Sequence, residues 1–120
     1  MLLPVSAPFH SALLAPAAER LAGVLRDIRF RDLAVPLVTN VDAAPLTEGA
    51  RVADALVRQV TAPVRWEEVV RRLATDGVAA FVEVGPGKVL SGLIRRIVPD
   101  VQVLNVEDRA SLQATVEALR

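Results

Sequence analysis

Apolar positions recur at steps of three and four residues along most of this chain, which is the spacing of one face of an amphipathic helix. Segments with this spacing are residues 13–28, 50–60, 66–73, 89–97 and 112–119. Three short runs between them are almost wholly apolar, as expected for buried strands, and cover residues 35–38, 79–84 and 101–104. Apolar strands that alternate with helices predict a layered α/β fold with a largely parallel sheet.

Proline, glycine and aspartate mark where several of these elements begin or end. Because proline fits only the first turn of a regular helix, Pro16 predicts a looser turn over residues 11–15 ahead of the first helix. Gly77 is expected to stop a helix, and Asp108 is expected to cap the last one. The sequence shows no internal repeat or linker, so we expect residues 1–120 to form a single unit.

Composition narrows the classes of function. The chain has 120 residues, enough for one domain at most, and its 14 basic and 14 acidic side chains argue against binding to nucleic acid or an anionic membrane. It has no cysteine and one histidine, which excludes thiolate and multi-histidine metal sites, and we expect no metal or other cofactor. No apolar run approaches the ~20 residues of a membrane span, and no basic region precedes the first apolar segment, so we expect a cytoplasmic protein.

His10 is the first candidate for chemistry, because imidazole suits proton transfer near neutral pH. A simpler role is to cap the helix that follows it. A hydrolase or transferase would also need a nucleophile for this base to activate. None of the serines lies in a G-x-S-x-G elbow, and they are Ser6, Ser11, Ser91 and Ser111. From the residues alone, His10 is a possible base without a partner.

Three weaker candidates lie in the run at residues 79–84 or shortly after it. Ser91 comes nearest to the serine elbow but lacks the glycine two places before it. The turn at residues 85–88, Gly-Pro-Gly-Lys, suggests a phosphate loop, yet it matches neither glycine-rich motif and its proline removes an amide donor. Glu83 has no second carboxylate placed beside it by spacing, so an acid/base pair is not supported. We therefore favour a tight structural turn here.

Four stretches carry a resemblance that covers essentially the whole chain. They are LPVSAPFHSALL at 3–14, PLVTNVD at 36–42, LVRQV at 56–60 with PVRW at 63–66, and VEVGPGKVLSGL at 82–93. In this order they resemble the C-terminal part of the malonyl-CoA:acyl-carrier-protein transacylases, acyltransferases of fatty acid and polyketide synthesis. The resemblance implies part of a hydrolase-like large subdomain over residues 7–120, with residues 1–6 as the last strand of a ferredoxin-like small subdomain.

The resemblance also implies roles for three residues. In this family a serine in a G-x-S-x-G elbow works with a histidine base and without an acidic third member. By resemblance, His10 is the catalytic base, and Gln59 is the glutamine whose backbone carbonyl accepts the ring N–H. Phe9 is the implied substrate-binding residue, where a ring leaves little room for the methyl branch of methylmalonyl. The implied partners are malonyl-CoA and an acyl carrier protein.

The family's serine, its oxyanion-hole residues and its arginine for the malonyl carboxylate all lie N-terminal to the matched stretches. The resemblance therefore implies a chain that needs the missing N-terminal half of the acyltransferase and is inactive alone. One alternative is a non-catalytic interaction module that binds an acyl carrier protein or self-associates through exposed apolar surface. Another is a small hydrolase that uses Ser91.

Overall fold

The computed structural model describes residues 7–120. The chain divides into two compact units, and the boundary follows Val69. Residues 1–6, which we expected to form the last strand of a small subdomain, lie outside the described residues. That residues 1–120 form one domain stays a prediction.

The first unit is mainly helical. Its elements are a 3-10 turn at Ala12–Leu14, helix α1 at Ala15–Leu25, strand β1 at Leu37–Val38, strand β2 at Pro45–Leu46, a 3-10 turn at Gly49–Arg51, helix α2 at Val52–Thr61, and the start of helix α3, Trp66–Thr75. Pro16 lies in the first turn of α1, where its missing N–H costs no helical hydrogen bond. The looser turn predicted ahead of this helix is confirmed by the 3-10 turn, and α1 contacts α2.

The apolar core of the first unit forms where α2 meets β2. Val52 and Ala55 lie three residues apart on one face of α2 and are buried with Leu46 of β2. Partly buried side chains that pack against them are Phe30, Leu33 and Leu56. Burial of one such aliphatic side chain stabilises the fold by about 1.5–3 kcal/mol. This packing holds α2, and therefore its C-terminal end, in place.

The predicted strand at residues 35–38 differs from the expectation. Only Leu37 and Val38 form a strand, and they pair antiparallel with Leu46 and Pro45. Val35 and Leu37 are exposed, so the prediction that this run is buried is wrong for both residues. A ladder two residues long, with a proline that cannot donate in the partner strand, presents too little sheet to cover both faces of the run.

The second unit contains the parallel sheet that the alternating pattern predicts. Strand β3, Ala80–Val84, pairs in parallel with strand β4, Gln102–Val106, from Ala80 opposite Gln102 to Val84 opposite Val106. Helix α4, Val89–Ile97, connects them and contacts both strands. Helix α5, Arg109–Ala118, contacts β4. The strand–helix–strand unit confirms the α/β class.

A local signal explains where helix α3 ends. Helix α3 ends where Gly77 adopts a φ of 93°, its N–H donates to the carbonyl of Ala74, and the N–H of Val78 donates to that of Leu73. These two bonds form a Schellman motif, in which glycine takes the left-handed conformation at low cost.

No helix in residues 7–120 is both long and apolar enough to cross a membrane.

The start of α5 carries the cap predicted for Asp108. Its carboxylate accepts the N–H of Ser111 at 2.8 Å, and the Ser111 hydroxyl accepts the N–H of Asp108 at 3.0 Å. This reciprocal arrangement is a capping box, and it satisfies donors that a helix start leaves free. The Ser111 N–H, together with the Ser111 hydroxyl that donates to the same carboxylate at 2.7 Å, lowers the pKa of Asp108.

Candidate active site around His10

His10 occupies an unusual backbone conformation just ahead of the first 3-10 turn. Its φ is 54°, in the left-handed region that few residues other than glycine adopt. The turn is closed on both sides, because the N–H of Phe9 donates to the carbonyl of Ala7 at 2.9 Å and the hydroxyl of Ser11 donates to that of Pro8 at 2.8 Å. A non-glycine residue in this region costs about 1–3 kcal/mol, a strain found preferentially at functional sites.

The ring of His10 is held by the main chain of Gln59. Nδ1 lies 2.9 Å from the Gln59 carbonyl oxygen, across a separation of 49 residues. A carbonyl oxygen only accepts hydrogen bonds, so Nδ1 must carry the hydrogen. In neutral imidazole, Nε2 then holds a lone pair and no proton. The contact selects the tautomer whose Nε2 can accept a proton, and the His10 residue is exposed to solvent.

Gln59 supplies this carbonyl from the last turn of α2. The final carbonyls of a helix have no intrahelical partner and need one from elsewhere. The carbonyl of Arg58 accepts the Thr61 hydroxyl at 3.5 Å, and that of Gln59 accepts the His10 ring. The resemblance named His10 and Gln59, and the structure places them in contact.

Arg58 ties the end of α2 to the connection between β1 and β2. Its Nη1 and Nη2 each donate to a different carboxylate oxygen of Asp42 at 2.8 Å, and its Nε donates to Asp54 at 2.7 Å. The hydrogen bond from Arg58 is the main cause that lowers the pKa of Asp42, and the same pairing raises the pKa of Arg58. Because these side chains are partly exposed, solvent screens the pair, and its main effect is to orient the helix end.

Arg65 adds a second connection to the same turn. Its Nη1 donates to the carbonyl of Asp42 at 3.0 Å, and its backbone N–H donates to the carbonyl of Asn40 at 2.9 Å. Its Nε and Nη2 also bind the carboxylate of Glu68, which lowers the pKa of that glutamate. These contacts hold the segment after α2 against the β1–β2 connection.

Sequence reasoning missed this network. The spacing of Asp54 and Arg58, four residues apart on a helix, was an available signal for one pair. The pairing of Arg58 with Asp42 crosses 16 residues and an irregular turn, so no periodicity indicates it.

Phe9 stands beside the histidine with 60% of its surface exposed. Its role in substrate binding stays a prediction.

Ser91 is unsuited to act as a nucleophile in this structure. It is 1% exposed, and its hydroxyl donates to Glu83 Oε2 at 2.6 Å. The same carboxylate accepts the N–H of Ser91 at 2.8 Å and that of Leu90 at 3.1 Å. Glu83 thus caps the start of α4 from the end of β3, and the Ser91 hydroxyl is the main cause that lowers its pKa. Both residues have structural roles.

The glycine turn after β3 also has a structural explanation. Gly85 and Gly87 have φ values of 137° and 88°, which other residues rarely adopt. The N–H of Gly87 donates to Glu107 at 3.0 Å, and the ammonium of Lys88 lies 3.9 Å from the same carboxylate. The groups that would cradle a phosphate are therefore bound to a carboxylate of the protein, which agrees with the predicted tight turn.

No protein-family model matches the chain. Comparison with curated proteins found a malonyl CoA-acyl carrier protein transacylase of Haemophilus influenzae, 50% identical over 117 residues, which cover 98% of this chain and 38% of the relative. Among solved structures, an acyl-carrier-protein-S-malonyltransferase of Bartonella henselae matches with a TM-score of 0.91 and 42% identity, over 99% of this chain and 38% of that one. A type II polyketide synthase acyl-carrier protein in complex with its malonyl-transacylase matches with a TM-score of 0.89 and 44% identity, over 97% and 38%. The chain thus spans less than two-fifths of the length of these relatives.

Proposed function

We propose that this chain, which is homologous over nearly all of its length to part of the malonyl CoA-acyl carrier protein transacylases, provides the general base of a malonyl transfer. The transfer moves a malonyl group from CoA to the thiol of an acyl carrier protein, in fatty acid or polyketide synthesis. The observation that carries the proposal is the bond from His10 Nδ1 to the Gln59 carbonyl, because it leaves Nε2 free to take a proton. The expected cytoplasmic location stays a prediction.

The proposed reaction has two steps with the same base. In the first, Nε2 of His10 accepts the proton of a serine hydroxyl, the serine oxygen attacks the malonyl thioester, and CoA leaves with the proton from the imidazolium. In the second, Nε2 takes the proton of the carrier-protein thiol, whose sulfur attacks the ester, and the imidazolium returns the proton to the serine oxygen as it leaves. The Gln59 carbonyl accepts the Nδ1 hydrogen in both protonation states, so the ring keeps its orientation throughout. This is the work that an aspartate performs in the serine protease triad.

The nucleophile is proposed to come from another segment of a longer protein. Among the described serines, Ser91 is buried, Ser11 donates to the carbonyl of Pro8, and Ser111 takes part in the cap of α5. Each has a structural role, and none follows the elbow motif. A carbonyl partner rather than a carboxylate also fits an enzyme with a two-residue serine–histidine site.

The second unit offers a surface for such a segment. Val84 at the end of β3 is 79% exposed, and Val89 at the start of α4 is 73% exposed. Parallel sheets are normally larger than two strands and covered on both faces, so these side chains fit a sheet that continues into further strands. We propose that the N-terminal half of the acyltransferase covers this surface and carries the serine and the arginine for the malonyl carboxylate.

Phe9 is proposed to bind the acyl group and favour malonyl over methylmalonyl. Its exposed ring stands next to the base, where it would meet a substituent on the α-carbon. Exclusion of one methyl group in such a pocket changes the free energy of the transition state by about 1–3 kcal/mol. A change of Phe9 to serine should therefore relax selectivity without removing malonyl transfer.

A chimera tests the proposal. The matched 117 residues of the Haemophilus influenzae relative are replaced by this chain, and transfer from malonyl-CoA to carrier protein is measured. We expect activity, and we expect His10→Gln to lower the rate constant by about 10²–10⁴-fold, the usual contribution of a general base. Gln113→Ala, an exposed change on α5, is the control and should leave the rate unchanged. Full activity in the His10→Gln chimera would show that His10 is not the base.

A second candidate function is binding of an acyl carrier protein without catalysis. The observation in its favour is an exposed apolar surface, formed by Leu112 and Val116 of α5 and by Leu119 directly after it. Titration of the chain with carrier protein separates the two proposals. An inactive chimera together with binding that His10→Gln leaves unchanged would favour the interaction module.

A further inference from the structure

The partner of His10 is a carbonyl that the helix itself cannot use. In an α-helix, the carbonyl of residue i accepts the N–H of residue i+4. The residue four places after Gln59 is Pro63, which has no N–H. The Gln59 oxygen is thus left without its regular donor by the sequence, and the ring of His10 lies 2.9 Å from it.

Pro63 also determines where α2 stops. Proline disfavours the helical conformation in the residue before it, and Ala62 has an extended backbone with φ −102° and ψ 150°. The helix ends one residue earlier, at Thr61. If the helix continued through residue 63, an N–H at that position would donate to the Gln59 carbonyl in the regular helical hydrogen bond. Pro63 therefore removes the competing donor and prevents the conformation that would supply it.

We propose that Pro63 is a positioning residue, which reserves the Gln59 carbonyl for the Nδ1 hydrogen of His10 and so keeps Nε2 unprotonated. The inference rests on the proposed function, because the choice of tautomer matters for catalysis only if His10 is the base. Neighbouring contacts act in the same direction. The side chain of Arg58 binds Asp42, and the carbonyl of Arg58 accepts the Thr61 hydroxyl, so the turn that presents Gln59 is held at both ends.

The chain contains a matched control in α4. This helix ends at Ile97, Val98 follows in an extended conformation with φ −136° and ψ 92°, and Pro99 comes two residues after the last helical residue. Pro63 stands in the same relation to α2. Pro99 should therefore affect a helix end as Pro63 does. The single histidine of the chain is bonded to α2, so Pro99 at the end of α4 should have no effect on the imidazole.

The experiment measures the tautomer of His10 in the 120-residue chain by ¹⁵N–¹H correlation of the imidazole at alkaline pH. One histidine makes the assignment unambiguous. We expect the Nδ1–H form in the unmodified chain. In Pro63→Ala, the restored N–H should raise the ratio of Nε2–H to Nδ1–H by about five-fold, the effect of one net hydrogen bond. Pro99→Ala should leave the ratio as it is.

Hydrogen exchange at the new amide of Pro63→Ala provides a second measurement, because a bond to the Gln59 carbonyl would protect that amide. If the near-UV spectrum shows that this variant has lost its packing, Pro63→Gly restores the same N–H with a lower helix propensity and is measured instead. An unchanged tautomer ratio in the folded variant overturns the inference. A ratio that responds, combined with a fully active His10→Gln chimera, would refute the proposed function and leave standing only the structural effect of Pro63 on the His10 tautomer.

Discussion

A methyl group added at Gly49 should destabilise the first unit strongly. Gly49 is buried at the start of the 3-10 turn that leads into α2. A Cβ atom there would lie 2.4 Å from the carbonyl carbon of Arg31, 2.5 Å from its oxygen and 2.8 Å from the oxygen of Phe30. Favourable contacts between such atoms are about 3.5–4.0 Å, so the main chain would have to move by about 1 Å.

The expected change in the free energy of unfolding follows from that movement. Insertion of a methyl group into a packed site costs about 1–3 kcal/mol. The shift also endangers the bond from the Gly49 N–H to Asp32 at 2.9 Å, whose loss adds about 1 kcal/mol. Lower entropy of the unfolded chain with alanine offsets about 0.4–1 kcal/mol. We therefore expect Gly49→Ala to lower the free energy of unfolding by about 2–3 kcal/mol.

Urea unfolding followed by tryptophan fluorescence measures this effect, because Trp66 is the single tryptophan and lies in the same unit as Gly49. The control is Gly23→Ala in α1, in the same unit, where the nearest atom is 3.7 Å away on a flexible arginine. This change should stabilise its helix by about 0.5–1 kcal/mol. A Gly49→Ala protein as stable as the unmodified chain would refute the close approach to Arg31.

Gln59→Ala should leave His10 in the Nδ1–H tautomer, because the acceptor is a main-chain carbonyl, and a switch to Nε2–H in the imidazole spectrum would contradict this. The pKa of Glu83 is lowered in the folded chain from its ordinary value of 4.5, so its bonds to Ser91 and Leu90 stabilise the fold fully above that value and lose their effect as the pH falls through the folded pKa. Glu83→Gln should therefore lower the urea midpoint at neutral pH and make little difference in acid, whereas a pH-independent difference would show that the charge is irrelevant.

The network around Arg58 links the fold to the candidate site. Asp42 and Asp54 bind its guanidinium from the β1–β2 connection and from α2, and Gln59 is the next residue. A small displacement of this helix end would move the carbonyl that holds His10. The candidate base thus depends on residues that need not touch a substrate.

Sequence signals that act over a few residues were sufficient to predict much of the secondary structure of this protein. Pro16 marks the start of α1, Gly77 ends α3, and Asp108 caps α5, because each effect operates within a single turn of helix. The apolar runs likewise predicted the parallel pair of strands in the second unit. The exposed positions of Val35 and Leu37 were not predictable in this way, since an apolar run does not state how much sheet is present to cover it.

The contacts that form the candidate site could be found only from the tertiary structure. The sequence by itself determined that there is one histidine, no thiol chemistry and no serine elbow, and a family resemblance then singled out Gln59. The 49 residues that separate His10 from Gln59 carry no periodic relation, and neither do the 16 that separate Asp42 from Arg58. Hydrogen bonds of this kind depend on where two segments meet after packing. Folding therefore decided which nitrogen of His10 holds the hydrogen, while the sequence, through Pro63, had already left the acceptor free.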